Sequence, residues 1–253
     1  PDGNFERLVE TDGESIEVGG LLYEGLVRVR PGGADVVPGL ATSWEASPDG
    51  LRWVFHLRDG VRFHDGTALD AAAVAWSFQR LLDPASPGYC AEATFFRALL
   101  GAVRRVVAVD PRTVAIELAR PHAPLLDDLV IVPVLAPAAI GAGDEPARPI
   151  GTGPFRLEQW TPGREVVVRR FEGYWGDAPS LDRVVFKVVV DARQRLIGLE
   201  SGSVDLATAI LPDEQAFVDL HPDLTLHHAP GNAVSYLALN AARPPLDDLR
   251  VRQ

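Results

Sequence analysis

Alternating apolar and polar positions mark the most regular stretch of this sequence, which runs from Leu51 to Arg58. A period of two residues is typical of a strand that buries one face. Asp49-Gly50 precedes the stretch, Asp59-Gly60 follows it, and both dipeptides are typical of tight turns. The alternation resumes from Val61 to Phe63, so the pattern predicts a tight two-stranded ribbon.

A helix is predicted directly after this ribbon. Asp70 is a residue type that caps helix N-termini, and Pro84 cannot continue a helix. Between them apolar residues recur at helical spacing and form one stripe, with Trp76 beside it; its members are Val74, Phe78, Leu81 and Leu82. We expect this stripe to face a hydrophobic core.

The rest of the chain interleaves strand and helix patterns, which predicts an α/β fold. Hairpins are predicted around Asp110–Arg112 and Thr161–Gly163, residues 84–99 have no regular pattern, and residues 142–149 form the predicted linker. The other predicted elements are short helices through Ile16–Leu22, at Leu125–Leu129 and after Pro212, a strand at Arg183–Val190, a helix with an Asp191/Gln194 capping box that ends at Gly202, strands at Val204–Leu206, Leu224–His227 and Val234–Leu239, and a final helix capped by Asp247.

Several of these segments together resemble a known family. The sequences are YEGLV from Tyr23, PGLATSWE from Pro38, W-x-F-x-L-R-x-G-V-x-F-x-D-G-T from Trp53, and a helix that ends in R-L-L-D-P. In this order they resemble the extracellular solute-binding proteins of family 5, the peptide- and nickel-binding receptors of ABC importers. GTGPF from Gly151 and E-G-Y-W at Glu172–Trp175 resemble the second characteristic block of that family.

The resemblance implies a lobe of a two-lobed binding protein. The expected fold is a class II periplasmic-binding-protein-like α/β lobe, with a mixed sheet flanked by helices and a smaller α+β subdomain. Residues 1–37 and 149–253 are expected to form the main part of this first lobe, and residues 38–148 the inserted smaller subdomain. The second lobe has no counterpart in the sequence, so we expect the chain to be the N-terminal half of a family member.

The resemblance also implies a function in transport. We expect a receptor that binds a small solute, with peptides favoured, between two lobes and delivers it to the transmembrane permease subunits of an ABC importer. Receptors for nickel chelates or oligosaccharides, and the solute-sensing domain of a transcriptional regulator, stay open as alternatives. A periplasmic or extracellular monomer is expected, attached to the membrane through the permease or through a lipid anchor of the parent protein.

Composition excludes several other classes of protein. The net charge of -11 argues against a nucleic-acid-binding surface, which needs clustered Lys and Arg. The single cysteine, Cys90, excludes an internal disulfide and a multi-cysteine metal site. His221, His227 and His228 are close in sequence, but neighbouring residues on a predicted strand face opposite sides. No metal and no cofactor is therefore predicted.

An enzyme is disfavoured because the sequence has neither a nucleophile elbow nor an HExxH zinc motif. Gly151-Thr152-Gly153 is a G-x-G, but Pro154 and a strand pattern follow it. A phosphate loop needs the free N–H groups of a helix N-terminus at that point, so a nucleotide site is not predicted.

The candidate ligand-binding residues are Tyr23, Glu24, Tyr89, Gly153 and Asn240. For Glu24 two explanations stay open. The carboxylate is either on the solvent side of a helix end or on a cleft wall, where it meets a cationic ligand group. Tyr89 lies in the irregular stretch and combines a stacking ring with a polar tip. Gly153 and Asn240 are chosen because the family places similar residues near the cleft and the hinge between the lobes.

Overall fold

The computed structural model describes residues 13–91, 93–139, 149–227 and 237–252. It divides into two compact units, Pro1–Val189 and Val190–Gln253. Most of the predicted linker, residues 142–148, and His228 lie outside the described residues. The two-part division of the chain predicted above, with residues 38–148 as an insertion, stays a prediction.

The first unit contains a four-stranded antiparallel sheet. Its strands are β3 (Ala41–Ala46), β4 (Arg52–Leu57), β5 (Val103–Asp110) and β6 (Thr113–Leu118), in the order β3-β4-β6-β5. The β5–β6 hairpin turns where the sequence predicted it. A separate hairpin of β1 (Val27–Val29) and β2 (Val36–Pro38) precedes this sheet.

The predicted ribbon between β4 and residues 61–63 is wrong. β4 pairs with β3 on one side and β6 on the other, so both of its edges are already occupied. Val61 and Phe63 are instead buried in the hydrophobic core, and an isolated bridge joins Arg62 to Ala68. The short alternation in this segment therefore marks side-chain packing and not strand pairing.

The helix predicted after this segment is confirmed as α2 (Ala71–Leu82). The Asp70 carboxylate accepts a hydrogen bond from the Ala73 N–H at 2.8 Å and so caps the helix. Val74 and Phe78 are fully buried against the four-stranded sheet, with β5 as the main contact. Burial of this stripe fixes the helix on the sheet.

Asp70→Ala is expected to lower the free energy of unfolding by about 1 kcal/mol, because the first turn of α2 loses its side-chain acceptor. Urea unfolding measures this loss. Asp70→Ser keeps an acceptor oxygen and should retain most of the stability. Equal losses in the two variants would mean that the cap does not stabilise the helix.

Residues 84–99 are more regular than predicted. α3 (Thr94–Leu99) lies in this stretch, and it buries Phe96 while Phe95 stays exposed. The helix has six residues and no side-chain cap, so the sequence carries little helical signal there. Another short helix, α4 (Leu125–Leu129), lies where the sequence predicted it.

A second sheet packs on the N-terminal helix α1 (Gly13–Leu22). Its antiparallel strands are β7 (Phe155–Thr161), β8 (Glu165–Arg170) and β9 (Arg183–Lys187), and β7 and β8 form the predicted hairpin. A hydrophobic cluster joins helix and sheet through Val18, Leu22, Tyr23, Leu135, Ala139, Phe155 and Val168. The larger cluster of the unit lies between α2 and the four-stranded sheet.

The regular elements in the described part of the second unit are all helical. α5 (Ala192–Glu200) begins at the predicted cap, since Asp191 accepts from the Gln194 N–H at 2.9 Å, and a positive φ at Gly202 follows its end. A 3-10 turn (Pro212–Glu214) and α6 (Gln215–Asp219) follow, and α7 (Leu249–Arg252) begins two residues after Asp247.

Three predicted strands of the second unit are not found in its described part. Residues 204–206, 224–227 and 237–239 form no strand, and residues 234–236 lie outside the described ranges. Leu206 and Leu237 are mostly exposed. Short apolar alternation becomes a strand only where a partner strand supplies hydrogen bonds, and none of the described neighbours does so. The pattern was therefore misleading here.

Candidate functional site

Glu24 lies between α1 and β1, where the backbone forms an antiparallel bridge with Val134. The Val134 N–H donates to the Glu24 carbonyl at 2.9 Å, so the position of the residue is fixed by its main chain. Its neighbours Tyr23 and Gly25 are both buried, and Glu24 itself is half-buried. Glu24 is therefore not a solvated residue at a helix end.

Three donors from two distant segments converge on the Glu24 carboxylate. Oε2 accepts from the Thr152 hydroxyl at 2.9 Å and from the Trp175 indole N–H at 2.7 Å. Oε1 accepts from the Tyr174 hydroxyl at 2.9 Å. These four residues are called the Glu24 cluster below. Because a carboxylate has about four acceptor positions, most of its capacity is already used inside the protein.

Burial changes the acid–base properties of the Glu24 cluster. Desolvation raises the pKa of Glu24 above its usual range, while the hydrogen bonds from Trp175, Thr152 and Tyr174 oppose that rise. The pKa of the Tyr174 hydroxyl is also raised, first by burial and then by the neighbouring negative charge of Glu24. The tyrosine therefore keeps its proton and stays a donor to the carboxylate.

Thr152 is the centre of the glycine turn (Gly151–Gly153) and is fully buried. A Cβ on Gly151 would lie 2.1 Å from the Leu22 carbonyl oxygen, and one on Gly153 would lie 2.4 Å from the Leu21 carbonyl oxygen. The Gly153 N–H donates to the Leu22 carbonyl at 3.0 Å. The absence of side chains thus lets the glycine turn approach the end of α1 and places Thr152 against Glu24.

His64 holds the glycine turn from the other side. Its Nδ1 accepts from the Gly151 N–H at 3.3 Å, and its Nε2 lies 3.0 Å from the Gly153 carbonyl oxygen. This pattern assigns the neutral tautomer with the proton on Nε2, which donates to Gly153. The ring also makes an edge contact with Phe171 at 5.0 Å between centroids. Burial lowers the pKa of His64 and so favours that neutral form.

The lowered pKa of His64 predicts that stability falls between pH 7.5 and pH 5.5. Below the ordinary value near 6.5 the unfolded chain binds a proton that the folded imidazole resists, so acidification favours unfolding. Urea unfolding of the wild type and His64→Gln at both pH values measures this. Gln can still donate to Gly153 but does not titrate, so the variant should show a smaller loss. Identical losses would contradict the assignment.

Trp175 extends the network towards β4. The Arg58 guanidinium carbon lies 4.3 Å from the Trp175 ring centroid, a cation–π distance. Arg58 Nε donates to the Gly39 carbonyl at 3.3 Å. The aromatic turn (Phe171–Trp175) is therefore held between the N-terminal segment, the glycine turn and the end of β4.

The predicted site residues are placed in three different settings. Glu24 and Gly153 come together through Thr152, and Tyr23 is buried in the hydrophobic cluster between α1 and the second sheet. Burial raises the pKa of Tyr23, so its hydroxyl stays protonated. Tyr89 is half-buried, and the Arg97 guanidinium lies 5.4 Å from its ring centroid. Among the described residues, no hydrogen bond or ring contact joins Tyr89 to the Glu24 cluster.

Asn240 belongs to the second unit, and its role as a ligand contact stays a prediction. The residue is exposed, and its side-chain oxygen accepts from the Ala242 N–H at 3.2 Å. This local bond is typical of a polar side chain that stabilises a turn.

His221 of the same unit packs on Phe217 with ring centroids 4.1 Å apart, and its Nδ1 lies 2.6 Å from the Phe217 carbonyl oxygen.

Sequence reasoning missed the roles of Thr152, His64 and Arg58. The two characteristic blocks of the family contain all of these residues, but periodicity gives no sign that the blocks touch. The one signal in the sequence was the E-G-Y-W stretch, because two side chains that can donate hydrogen bonds, Tyr174 and Trp175, stand side by side there.

Within the described ranges, no three His, Cys, Asp or Glu side chains converge to hold a metal ion. No described helix has the length and apolarity that crossing a membrane requires.

Comparison with known proteins identifies the family. The sequence model of the bacterial extracellular solute-binding proteins, family 5 (middle region), matches residues 35–253. The dipeptide-binding protein of Escherichia coli is 33% identical over 274 aligned positions, which cover 100% of this chain and 51% of that protein. The chain therefore belongs to the bacterial extracellular solute-binding proteins of family 5.

Solved structures agree with this assignment. The dipeptide-binding protein of a Pseudoalteromonas species, solved with Met-Leu, has a TM-score of 0.88 at 25% identity and covers 99% of this chain and 54% of that one. The periplasmic binding protein DppA of Helicobacter pylori, solved with the peptide STSA, has a TM-score of 0.79 at 30% identity, with 87% and 47% covered. The expected α/β binding-protein fold is confirmed. The chain spans about half the length of the relatives it matches.

Proposed function

We propose that this chain is part of a receptor that binds peptides and delivers them to an ABC importer. The observation that carries the proposal is the similarity over the whole chain to a dipeptide-binding protein. Two solved relatives hold peptides, which supports the same class of solute here. The receptor would act by binding and not by catalysis, since its relatives are solute-binding proteins.

The mechanism we propose is closure of two lobes around the solute. A ligand favours the closed state only through contacts that it makes better in that state than in the open one. This chain would supply one wall of the cleft, and the remaining contacts would come from a second lobe. The partners would be the permease subunits, and the receptor would act as a monomer in the periplasm or outside the cell, with or without a lipid anchor.

Within this wall we propose two different roles for the candidate residues. Tyr89 and Asn240 would contact the solute, since both side chains are accessible. Glu24 and Gly153 would act as positioning residues, because the Glu24 carboxylate is occupied by three protein donors and Gly153 is buried against α1. Tyr23 would anchor this segment in the hydrophobic cluster.

The proposal is tested by titrating the 15N-labelled chain with an alanyl-leucine dipeptide, a nickel–histidine chelate and maltotriose. We expect the dipeptide alone to shift backbone amide signals, with a dissociation constant weaker than about 1 mM because one lobe supplies few contacts. Shifts caused by the chelate or the sugar, without a response to the dipeptide, would replace the proposed solute. Micromolar binding by this chain would contradict the need for two lobes.

A further inference from the structure

Arg58 is a half-buried arginine whose guanidinium is held in place on two sides. Its backbone N–H donates to the Leu40 carbonyl at 2.8 Å, and Nε donates to the neighbouring Gly39 carbonyl at 3.3 Å. The guanidinium carbon stands 4.3 Å from the Trp175 ring centroid. Within the part of the chain that the structure describes, no carboxylate forms an ion pair with Arg58.

This geometry leaves one particular recognition edge of the guanidinium available. Because Nε is bonded to Gly39, the edge formed by Nε and one terminal nitrogen is occupied. The two terminal nitrogens still form a planar fork that matches the two oxygens of a carboxylate. The Trp175 ring restricts the side chain and partly removes it from water, so little conformational entropy is lost when the fork binds.

Two acids close to Arg58 or Trp175 have other partners. Asp59 follows Arg58 in the chain, but its carboxylate forms an ion pair with Arg112. The Glu24 carboxylate accepts from Trp175, Thr152 and Tyr174. Both Asp59 and Glu24 are therefore committed to other partners.

A second cation adds to the positive potential at the aromatic turn. Arg28 Nε donates to the Pro38 carbonyl at 3.2 Å, next to the carbonyl that holds Arg58. Arg28 also acts electrostatically on both Glu24 and Tyr174. Arg28 and Arg58 are thus anchored on consecutive carbonyls, and both attract an anion near the Arg58 fork.

We propose that the two terminal nitrogens of Arg58, whose guanidinium lies over the Trp175 ring, bind a carboxylate of the transported solute. This inference rests on the proposed function for the identity of that solute, since every unblocked peptide carries a terminal carboxylate. The alternative is that Arg58 only links Gly39 to the aromatic turn. In that case its terminal nitrogens stay hydrated and no anion binds there.

Side-chain NMR of the arginines tests the proposal in the 15N-labelled chain. Sodium acetate tests whether the fork binds a carboxylate. Alanyl-leucine tests the fork and the proposed peptide binding at once, and alanyl-leucine amide is the control that lacks the carboxylate. We expect the Arg58 side-chain signals to shift saturably with acetate and with the dipeptide, and binding of the amide to be at least about tenfold weaker. Sodium chloride at equal ionic strength is the reference for screening.

Variants assign the response to Arg58. Arg58→Gln should abolish the acetate response, whereas a variant of the exposed Arg52 at the start of β4, Arg52→Gln, should retain it. Arg58→Lys keeps the charge without the planar fork and should bind acetate about tenfold more weakly than the wild type. If Arg58→Gln does not fold, the comparison of dipeptide and amide in the wild type still decides the question.

The outcomes separate this inference from the proposed function. A dipeptide that shifts backbone signals elsewhere, while Arg58 is unmoved by dipeptide and acetate, refutes the carboxylate site and leaves the peptide receptor intact. Acetate that binds at Arg58 without any response to the dipeptide supports the site and counts against the peptide receptor. Equal shifts with acetate and chloride refute a carboxylate-specific fork.

Discussion

Glu24→Ala is expected to lower the free energy of unfolding by about 4 kcal/mol. The substitution removes the shared acceptor of three donors: the Thr152 hydroxyl, the Tyr174 hydroxyl and the Trp175 indole N–H. A buried donor without a partner costs about 1–3 kcal/mol, and Thr152 has no access to water. The half-buried Tyr174 and Trp175 recover part of their loss by hydration, which keeps the total below the sum of three full penalties.

Urea unfolding followed by circular dichroism measures this effect, and two further variants make it specific. Glu45→Ala removes an exposed glutamate of β3 and should change stability by less than about 0.5 kcal/mol. Glu24→Gln keeps the shape but directs an amide group at one of the donors, so an intermediate loss is expected. If Glu24→Ala and Glu45→Ala were equally stable, the Glu24 cluster would not hold the two turns together.

Gly151→Ala is expected to destabilise the protein by at least about 3 kcal/mol. The new Cβ would lie 2.1 Å from the Leu22 carbonyl oxygen and 2.7 Å from Cδ1 of Tyr23. One of these atoms belongs to the backbone of α1 and the other to a buried ring, so neither can move aside without a large cost in free energy. The glycine turn must move away from α1, and Thr152 then leaves Glu24.

A glycine in open surroundings provides the matched control for this prediction. Gly20 lies in α1, and no atom comes within 4 Å of a Cβ added there. Gly20→Ala should therefore raise the free energy of unfolding by up to about 1 kcal/mol, because alanine favours the helix. Differential scanning calorimetry compares the two variants. A Gly151→Ala protein as stable as the wild type would mean that the turn is not closely packed on α1.

The sequence predicted local structure best where a pattern has its own cap or turn. Asp70, Asp191 and Asp110–Arg112 each give a physical reason for an element to begin or reverse, and α2, α5 and the β5–β6 hairpin lie where these residues indicate. The pattern failed at residues 61–63 and 204–206. In both segments apolar alternation exists, but the available partners decide whether it becomes a strand or only packs side chains.

The candidate site was predictable only in part. Glu24 was singled out because a carboxylate interrupts an apolar segment, and the structure places it at the centre of a cluster. Its role could not be deduced, since all three donors come from residues more than a hundred positions away. The contact of Arg58 with Trp175 was equally hidden, because a cation–π contact leaves no periodic signal in either segment.

The long separations within the Glu24 cluster also govern when the protein can acquire its final shape. Glu24 is 128, 150 and 151 positions away from the three residues that donate to it. A chain that emerges N-terminus first, from a ribosome or a translocation channel, carries Glu24 as a hydrated carboxylate until Trp175 has followed. Contacts of such high sequence separation close large loops and form late in folding. During vectorial synthesis, the Glu24 cluster is therefore among the last parts of this unit to become ordered.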